Sequence, residues 1–140
     1  MVKVSKKVLN KTIEKQIFET LWEAISQIRD KSDIQSFLND LLSPTERIMV
    51  AKRLAIAILL LKEQDYATIR GFLNVSNETI SKVSSILKTN QGYKIAINKI
   101  AQTKAGKEFW EDIESFLYRF SKTSRVFLPE RAIRHKLRSN

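Results

Sequence analysis

The sequence predicts an all-α protein, and three observations support that class. The 140 residues include only three glycines and two prolines, so few positions interrupt a helix. Apolar side chains recur at spacings of three and four along most of the chain. No stretch alternates apolar and polar residues long enough to form a sheet. We therefore expect a multi-helix fold with a long N-terminal helix, a central helix-turn-helix and a helical, basic C-terminal extension.

The N-terminal region is expected to form two helices. Apolar periodicity predicts a long helix from about Ser5 to Arg29 and a short one from about Asp33 to Leu42. A helix that is broadly apolar on one side needs a partner surface, which is either the protein's own core or a second copy. We favour a homodimer. The stripe on the long helix consists of Leu9, Ile13, Ile17, Phe18, Leu21, Trp22, Ile25 and Ile28.

A third helix is predicted to start at the sequence Ser-Pro-Thr-Glu. Ser43 can cap it, Pro44 suits its first position, and Glu46 can reach back to the amide of the cap residue. The helix continues to about Lys62 and is apolar on nearly all sides. We expect it to be central and buried.

The region from Asp65 to Lys88 has the pattern of a helix-turn-helix. Asn74 stands between two short predicted helices and tolerates the left-handed conformation of a tight turn. Val75 is expected to fill the gap between the helices, and Ser76 is a good N-cap for the second one. The predicted inner faces are Ile69, Phe72 and Leu73 on the first helix, about 66–73, and Ile80, Val83 and Leu87 on the second, about 77–88.

Polar residues on the first turns of the second helix are the candidates for reading DNA, because this helix enters the major groove in such motifs. Asn77 can read adenine, Lys82 can contact guanine or phosphate, and Glu78 either accepts from cytosine or disfavours loose phosphate binding. Arg70 either contacts DNA or is a solvated surface side chain. The candidate DNA-binding residues are Tyr66, Arg70, Ser76, Asn77, Glu78, Thr79, Ser81 and Lys82. The alternative interpretation is an ordinary helical hairpin.

The C-terminal part is expected to contain helices over about 93–103 and 107–120, followed by a basic tail. We divide the chain into a DNA-binding domain, 1–97, and an extension, 98–140. Residues 91–140 hold eleven Lys and Arg against five Asp and Glu, more than half of the net charge of +10. This excess favours a polyanionic partner. Candidate phosphate contacts are Arg125, Arg131, Arg134, Lys136 and Arg138.

The sequence lacks the residues that several classes of protein need. The chain has no cysteine and a single histidine, His135, so we expect no metal site and no catalytic triad. No glycine-rich phosphate loop is present. A membrane helix needs about 20 consecutive apolar residues, and no apolar run in the sequence approaches that length. The tryptophans and phenylalanines are expected to belong to the core. The sequence predicts a cytoplasmic protein that is not an enzyme.

Four segments resemble the tryptophan repressor superfamily, especially its Trp-repressor-like bacterial members. They are LLSPTER at 41–47, AKRLAIA at 51–57, LNVSNETISKVSSIL at 73–87 and GYK at 92–94, within a similar region of about 33–97. The resemblance implies an all-helical fold, an intertwined homodimer and operator binding through the second helix of the motif.

The resemblance also implies an effector pocket, formed here by Ser43, Arg53 and Lys82. In the repressors two arginines sandwich the indole ring of tryptophan. Lys82 stands at the second of these positions, and an ammonium stacks on an indole less well than a planar guanidinium. Val83 and Ile86 replace a small Gly and a Ser of that pocket. We therefore expect no tryptophan co-repressor and no other cofactor.

The leading interpretation is a sequence-specific transcriptional regulator, a repressor that binds double-stranded DNA as a homodimer. One alternative is a DNA-binding accessory protein of a mobile element or of the replication machinery. Another is an RNA-binding or helical protein-interaction module, because aromatic and basic residues are interleaved around 109–127.

Overall fold

The computed structural model describes residues 10–123, and within that range it contains seven helices and no strand. The all-α class is therefore confirmed. The chain divides into two compact units whose boundary in sequence lies between Arg47 and Ile48. The helices are α1 (Lys11–Gln27), α2 (Lys31–Leu41), α3 (Pro44–Leu61), α4 (Tyr66–Leu73), α5 (Asn77–Thr89), α6 (Gly92–Ala101) and α7 (Lys104–Thr123).

Side-chain caps set the starts of the first two helices. Asn10 Oδ1 accepts a hydrogen bond from the Thr12 amide at 2.9 Å, and α1 begins at Lys11. The predicted start at Ser5 lies outside the described residues. Asp30 caps α2 by accepting from the amide of Ser32 at 2.8 Å. Hydrogen bonds from the Ser32 side chain, and from the backbone of Ser32 and Asp33, lower the pKa of the Asp30 carboxyl.

The apolar stripe of α1 is exposed, and no residue of this helix is buried. Trp22 is 54% exposed, which contradicts its predicted place in the core. It stacks on Phe18, with ring centroids 5.9 Å apart. The other exposed large apolar side chains of the helix are Ile13, Ile17 and Ile25. The first unit therefore presents an uncovered apolar helix face.

The start of α3 has the predicted reciprocal cap. The Ser43 amide donates to Glu46 Oε2 at 2.8 Å, and the Glu46 amide donates to Ser43 Oγ at 3.2 Å. Burial along α3 is uneven, however. Ile56 and Leu59 are buried in its second half, whereas Ile48 in its first half is 56% exposed. The prediction of a buried helix is therefore confirmed only for the second half.

The core of the second unit joins α3, α4, α5 and α7. Burial of apolar surface is the main stabilising contribution in such a cluster. Thr68 is the one buried polar side chain among the described residues. The buried apolar residues are Ile56, Ala57, Leu59, Ile69, Ile80, Val83, Leu87 and Leu117.

Helix α7 packs on α4 through aromatic edges. The Phe72 ring lies 5.5 Å from that of Phe116 and 6.2 Å from that of Phe120, both edge-on. Lys62 Nζ lies 4.5 Å from the centroid of the Trp110 ring. Phe116 is nevertheless 55% exposed and Phe109 47% exposed, so the prediction that every phenylalanine belongs to the core was wrong.

Candidate nucleic-acid interface

The turn between α4 and α5 is held by one backbone conformation and two polar contacts. Asn74 has φ 52° and ψ 60°, the predicted left-handed conformation. Lys52 Nζ on α3 donates to the Asn74 carbonyl oxygen at 3.4 Å. Ser76 Oγ accepts from the Thr79 amide at 3.2 Å and caps α5. The predicted turn and N-cap are confirmed, and the turn is also tied to α3.

The inner faces of the two helices meet in the core. Ile69 on α4 and Ile80 on α5 are both 0% exposed. Phe72, Leu73 and Val75 are half-buried and pack against this cluster, while Val83 and Leu87 are buried in it. The predicted inner faces are confirmed, so the rotation of α5 about its own axis is fixed by packing.

The opposite face of α5 is polar and exposed. Four candidate DNA-contacting side chains are exposed on it: Asn77, Glu78, Ser81 and Lys82. Thr79 is half-buried, and its hydroxyl lies 3.0 Å from Ser76 Oγ. The hydroxyls of Ser76 and Thr79 therefore belong to the helix cap. The four exposed side chains form the surface that could enter a DNA groove.

Two further candidates, Tyr66 and Arg70, lie on α4. Tyr66 begins α4 and is 38% exposed. Arg70, in its last turn, is exposed and donates from Nη1 to Asn77 Oδ1 at 3.0 Å. The sequence suggested either a DNA contact or a solvated side chain for Arg70. The structure adds an intramolecular bond from Arg70 to the first residue of α5.

An ion pair lies on the exposed face of α5. Glu78 Oε1 is 3.2 Å from Lys82 Nζ, one helical turn away, and both side chains are about three-quarters exposed (78% and 74%). A pair so exposed contributes little to folding stability. It does, however, place a negative charge beside the cation that is predicted to contact DNA.

The three residues predicted for an effector pocket have other roles or stand exposed. The Ser43 hydroxyl accepts from Glu46 in the α3 cap, and Lys82 pairs with Glu78. Arg53 is exposed. A small apolar crevice of about 50 Å³ lies among α3, α4 and α7, and it includes none of the three. Its lining is Ala55, Ile58, Leu59, Phe72, Leu73, Phe109 and Ile113.

The predicted phosphate-contacting tail lies outside the described residues, so its role stays a prediction. It comprises Arg125, Arg131, Arg134, Lys136 and Arg138. Within residues 10–123, no helix is long and apolar enough to cross a membrane, and no group of three or more acidic or histidine side chains could hold a metal ion.

Sequence reasoning missed two features that support the motif. Lys52 and Arg53 interrupt an otherwise apolar stretch of α3, and this interruption is the signal that could have pointed to a polar contact there; the contact is the bond from Lys52 to the turn. The second feature is the contact of α7 with Phe72 on α4. Phe116 and Phe120 stand four residues apart, which predicts a shared helix face but not the surface that the face covers.

Comparisons with known proteins agree with this architecture. The family model described as "Trp repressor protein" matches residues 16–101. A crystal structure described as "a putative Trp repressor from Staphylococcus aureus" is 24% identical, with a TM-score of 0.59. The match covers 67% of this chain and 98% of that one. No curated protein matches the chain. The family match ends at residue 101, so α7 lies beyond it.

Proposed function

Because the chain belongs to the Trp repressor family, we propose that it is a homodimeric, sequence-specific DNA-binding protein that represses transcription. The observation that carries the proposal is the two-faced α5. Its inner face is anchored by Ile80, which is fully buried, and its outer face exposes Asn77, Ser81 and Lys82. A capped helix with a fixed rotation and an exposed polar first turn is the geometry of a recognition helix.

The charge of the chain supports a nucleic-acid partner. The formal net charge is +10, and the chain's charge becomes more positive toward its C-terminal end. Lys and Arg that neutralise phosphates release counterions, which gives affinity without sequence preference. Base contacts from α5 would then supply the preference.

The exposed stripe on α1 supports a homodimer. A 17-residue amphipathic helix with no buried residue is marginally stable alone in water. Ile17 and Trp22 are each 54% exposed. A second copy of the chain is the partner that we propose for this stripe, since a regulator with two recognition helices reads two half-sites of a palindromic operator.

The dimer proposal is tested by light scattering of the full chain and of a double variant, Ile17→Ala with Trp22→Ala. The matched control is Glu23→Ala, which changes the opposite side of the same helix by its spacing. Alanine is the best helix former, so neither change opposes the helix. We expect a dimer for the chain and the control, and a tenfold or greater weakening of dimerisation for the double variant. A monomeric wild-type chain would contradict the proposal.

DNA recognition is tested by selecting bound sequences from a random duplex pool at near-physiological salt. We expect a two-fold symmetric motif. Asn77→Ala and Ser81→Ala should each alter the preferred bases at defined positions. The matched control is Lys88→Ala, at the other end of α5, which should weaken binding without changing the motif. No enrichment by the wild-type chain would reject the sequence-specific proposal.

Tryptophan is not the effector in this proposal. Helix α5 contains no arginine: its cations are Lys82, which pairs with Glu78, and Lys88, so the recognition helix offers no planar cation to stack on an indole. Affinity for the selected duplex should therefore be the same with and without millimolar tryptophan. A tryptophan-dependent rise in affinity would show that a co-repressor pocket forms.

A further inference from the structure

The hydrogen bond from Arg70 to Asn77 sets the orientation of the Asn77 amide group. A guanidinium has donors and no acceptor, so only the amide oxygen can face it. Arg70 Nη1 lies 3.0 Å from Asn77 Oδ1, and the Asn77 NH₂ group therefore points away from the arginine. Both side chains are exposed, and Asn77 is the first residue of α5.

The neighbouring carboxylate does not draw Arg70 away from this bond. Glu78 follows Asn77 directly, but its Oε1 lies 3.2 Å from Lys82 Nζ. The ion pair along α5 and the Arg70–Asn77 bond across the turn thus form two separate pairs. In the second pair the Arg70 guanidinium takes one of the two lone pairs of Asn77 Oδ1, which is the only acceptor atom of that side chain.

The orientation matters for base reading. An asparagine reads adenine by accepting from the adenine amino group with Oδ1 while it donates to N7 with its NH₂ group. With Arg70 on Oδ1, an adenine amino group that approached the remaining lone pair would lie beside the N–H donors of the guanidinium, whereas the Asn77 NH₂ group is still able to donate. Guanine instead offers two acceptors, O6 and N7, on its major-groove edge.

We propose that Arg70 is a specificity-determining positioning residue, which holds Asn77 so that the pair selects guanine at the base that Asn77 contacts. This inference rests on the proposed function, in which α5 enters the major groove. It replaces the adenine preference that the sequence suggested for Asn77 alone.

The test is duplex selection with the wild-type chain, Asn77→Ala, Arg70→Ala and the control Lys88→Ala. The position that Asn77 reads is the one at which Asn77→Ala loses its preference. There we expect guanine for the wild-type chain and for the control. For Arg70→Ala we expect a shift toward adenine, with guanine-over-adenine discrimination falling about tenfold or more, because the released amide can use both of its groups.

Each other outcome has a distinct meaning. Uniformly weaker binding of Arg70→Ala with an unchanged motif would make Arg70 a phosphate contact and overturn the inference. Loss of the guanine preference without a gain of adenine would mean that Arg70 reads guanine itself, which also overturns it. No motif from the wild-type chain would overturn the proposed function together with the inference.

A measurement without DNA tests the bond itself. The side-chain NH₂ resonances of Asn77 in a ¹⁵N-labelled sample should shift in Arg70→Ala and remain in place in Lys88→Ala. Because Arg70 is exposed, Arg70→Ala should unfold at about the wild-type temperature. Unchanged Asn77 resonances in the folded variant would show that the bond is absent in solution and overturn the inference.

Discussion

Replacing Glu78 with glutamine should make DNA binding by this protein more sensitive to salt. Glu78 Oε1 lies 3.2 Å from Lys82 Nζ, so the carboxylate neutralises a cation on the proposed recognition face. Glutamine has nearly the same shape without the charge. The change releases Lys82 to approach a phosphate, and it also removes a negative charge that would lie close to the DNA backbone.

The expected size follows from the exposure of the pair. With side chains 78% and 74% exposed, the pair contributes only about 0.3–0.5 kcal/mol to folding, so the variant remains folded. One further phosphate contact steepens the slope of log affinity against log salt by about 0.9. Between about 50 and about 200 mM salt, that slope makes the loss of affinity about 3.5-fold larger.

The assay is fluorescence anisotropy with a labelled duplex of random sequence across that salt range. Glu108→Gln is the matched control, because Glu108 pairs with Lys104 at 3.7 Å in the same i,i+4 arrangement on α7, outside the helix-turn-helix. Both variants raise the formal net charge by one. We expect the steeper slope for Glu78→Gln alone. Equal slopes for the two variants would refute the argument that Glu78 restrains Lys82 at the DNA surface.

Three further predictions concern stability at fixed protein concentration. Ile80→Ala, at a fully buried position, should lower the free energy of unfolding in urea by about 2–5 kcal/mol, and no loss would contradict the core assignment. Gly106→Ala places a Cβ 1.9 Å from the Ile100 carbonyl oxygen, so the melting temperature should fall clearly. Asp30→Ala should reduce helicity more than Asp30→Asn does, by circular dichroism at neutral pH. Hydrogen bonds lower the pKa of Asp30, so the ionised carboxylate stabilises the folded protein above the usual titration range of an aspartate. This stabilisation is lost as the pH falls through the lowered pKa of Asp30, and the Asp30→Ala variant should not show that loss.

Local rules predicted the helix-turn-helix well because its determinants lie within a few residues. The left-handed Asn74 and the cap from Ser76 to Thr79 involve neighbours in sequence. The inner face of α5 follows directly from apolar spacing, and Ile80 and Val83 are buried as that spacing requires. The motif could therefore be predicted from the sequence, together with the rotation of α5.

Contacts between distant segments could not be predicted in the same way. Lys52 reaches the carbonyl oxygen of Asn74 because α3 passes beside the turn. No pattern within a short segment of sequence predicts that arrangement. The Arg70–Asn77 bond depends on the angle at which α4 and α5 cross. The stripe on α1 was predicted, but spacing alone does not say whether the protein's own core or a second copy covers it, and Trp22 is exposed in the single chain.

Aromatic burial on α7 shows the same limit. The phenylalanines were expected in the core, yet Phe116 is 55% exposed, whereas its neighbour Leu117 is 6% exposed. The apolar stripe of α7 therefore includes exposed side chains, such as Phe109 and Phe116, beside buried ones. The docking angle of the helix decides which members of the stripe are covered, and that angle is a property of the whole second unit.

The central claim, that the exposed face of α5 reads DNA sequence, is tested most directly by competition. A labelled duplex carrying the selected motif is bound by the full chain at near-physiological salt and displaced by an unlabelled duplex with the same motif or with a scrambled one. The account predicts that the scrambled duplex needs a concentration at least about a thousandfold higher. Equal displacement by the two duplexes would show sequence-blind binding and contradict the account.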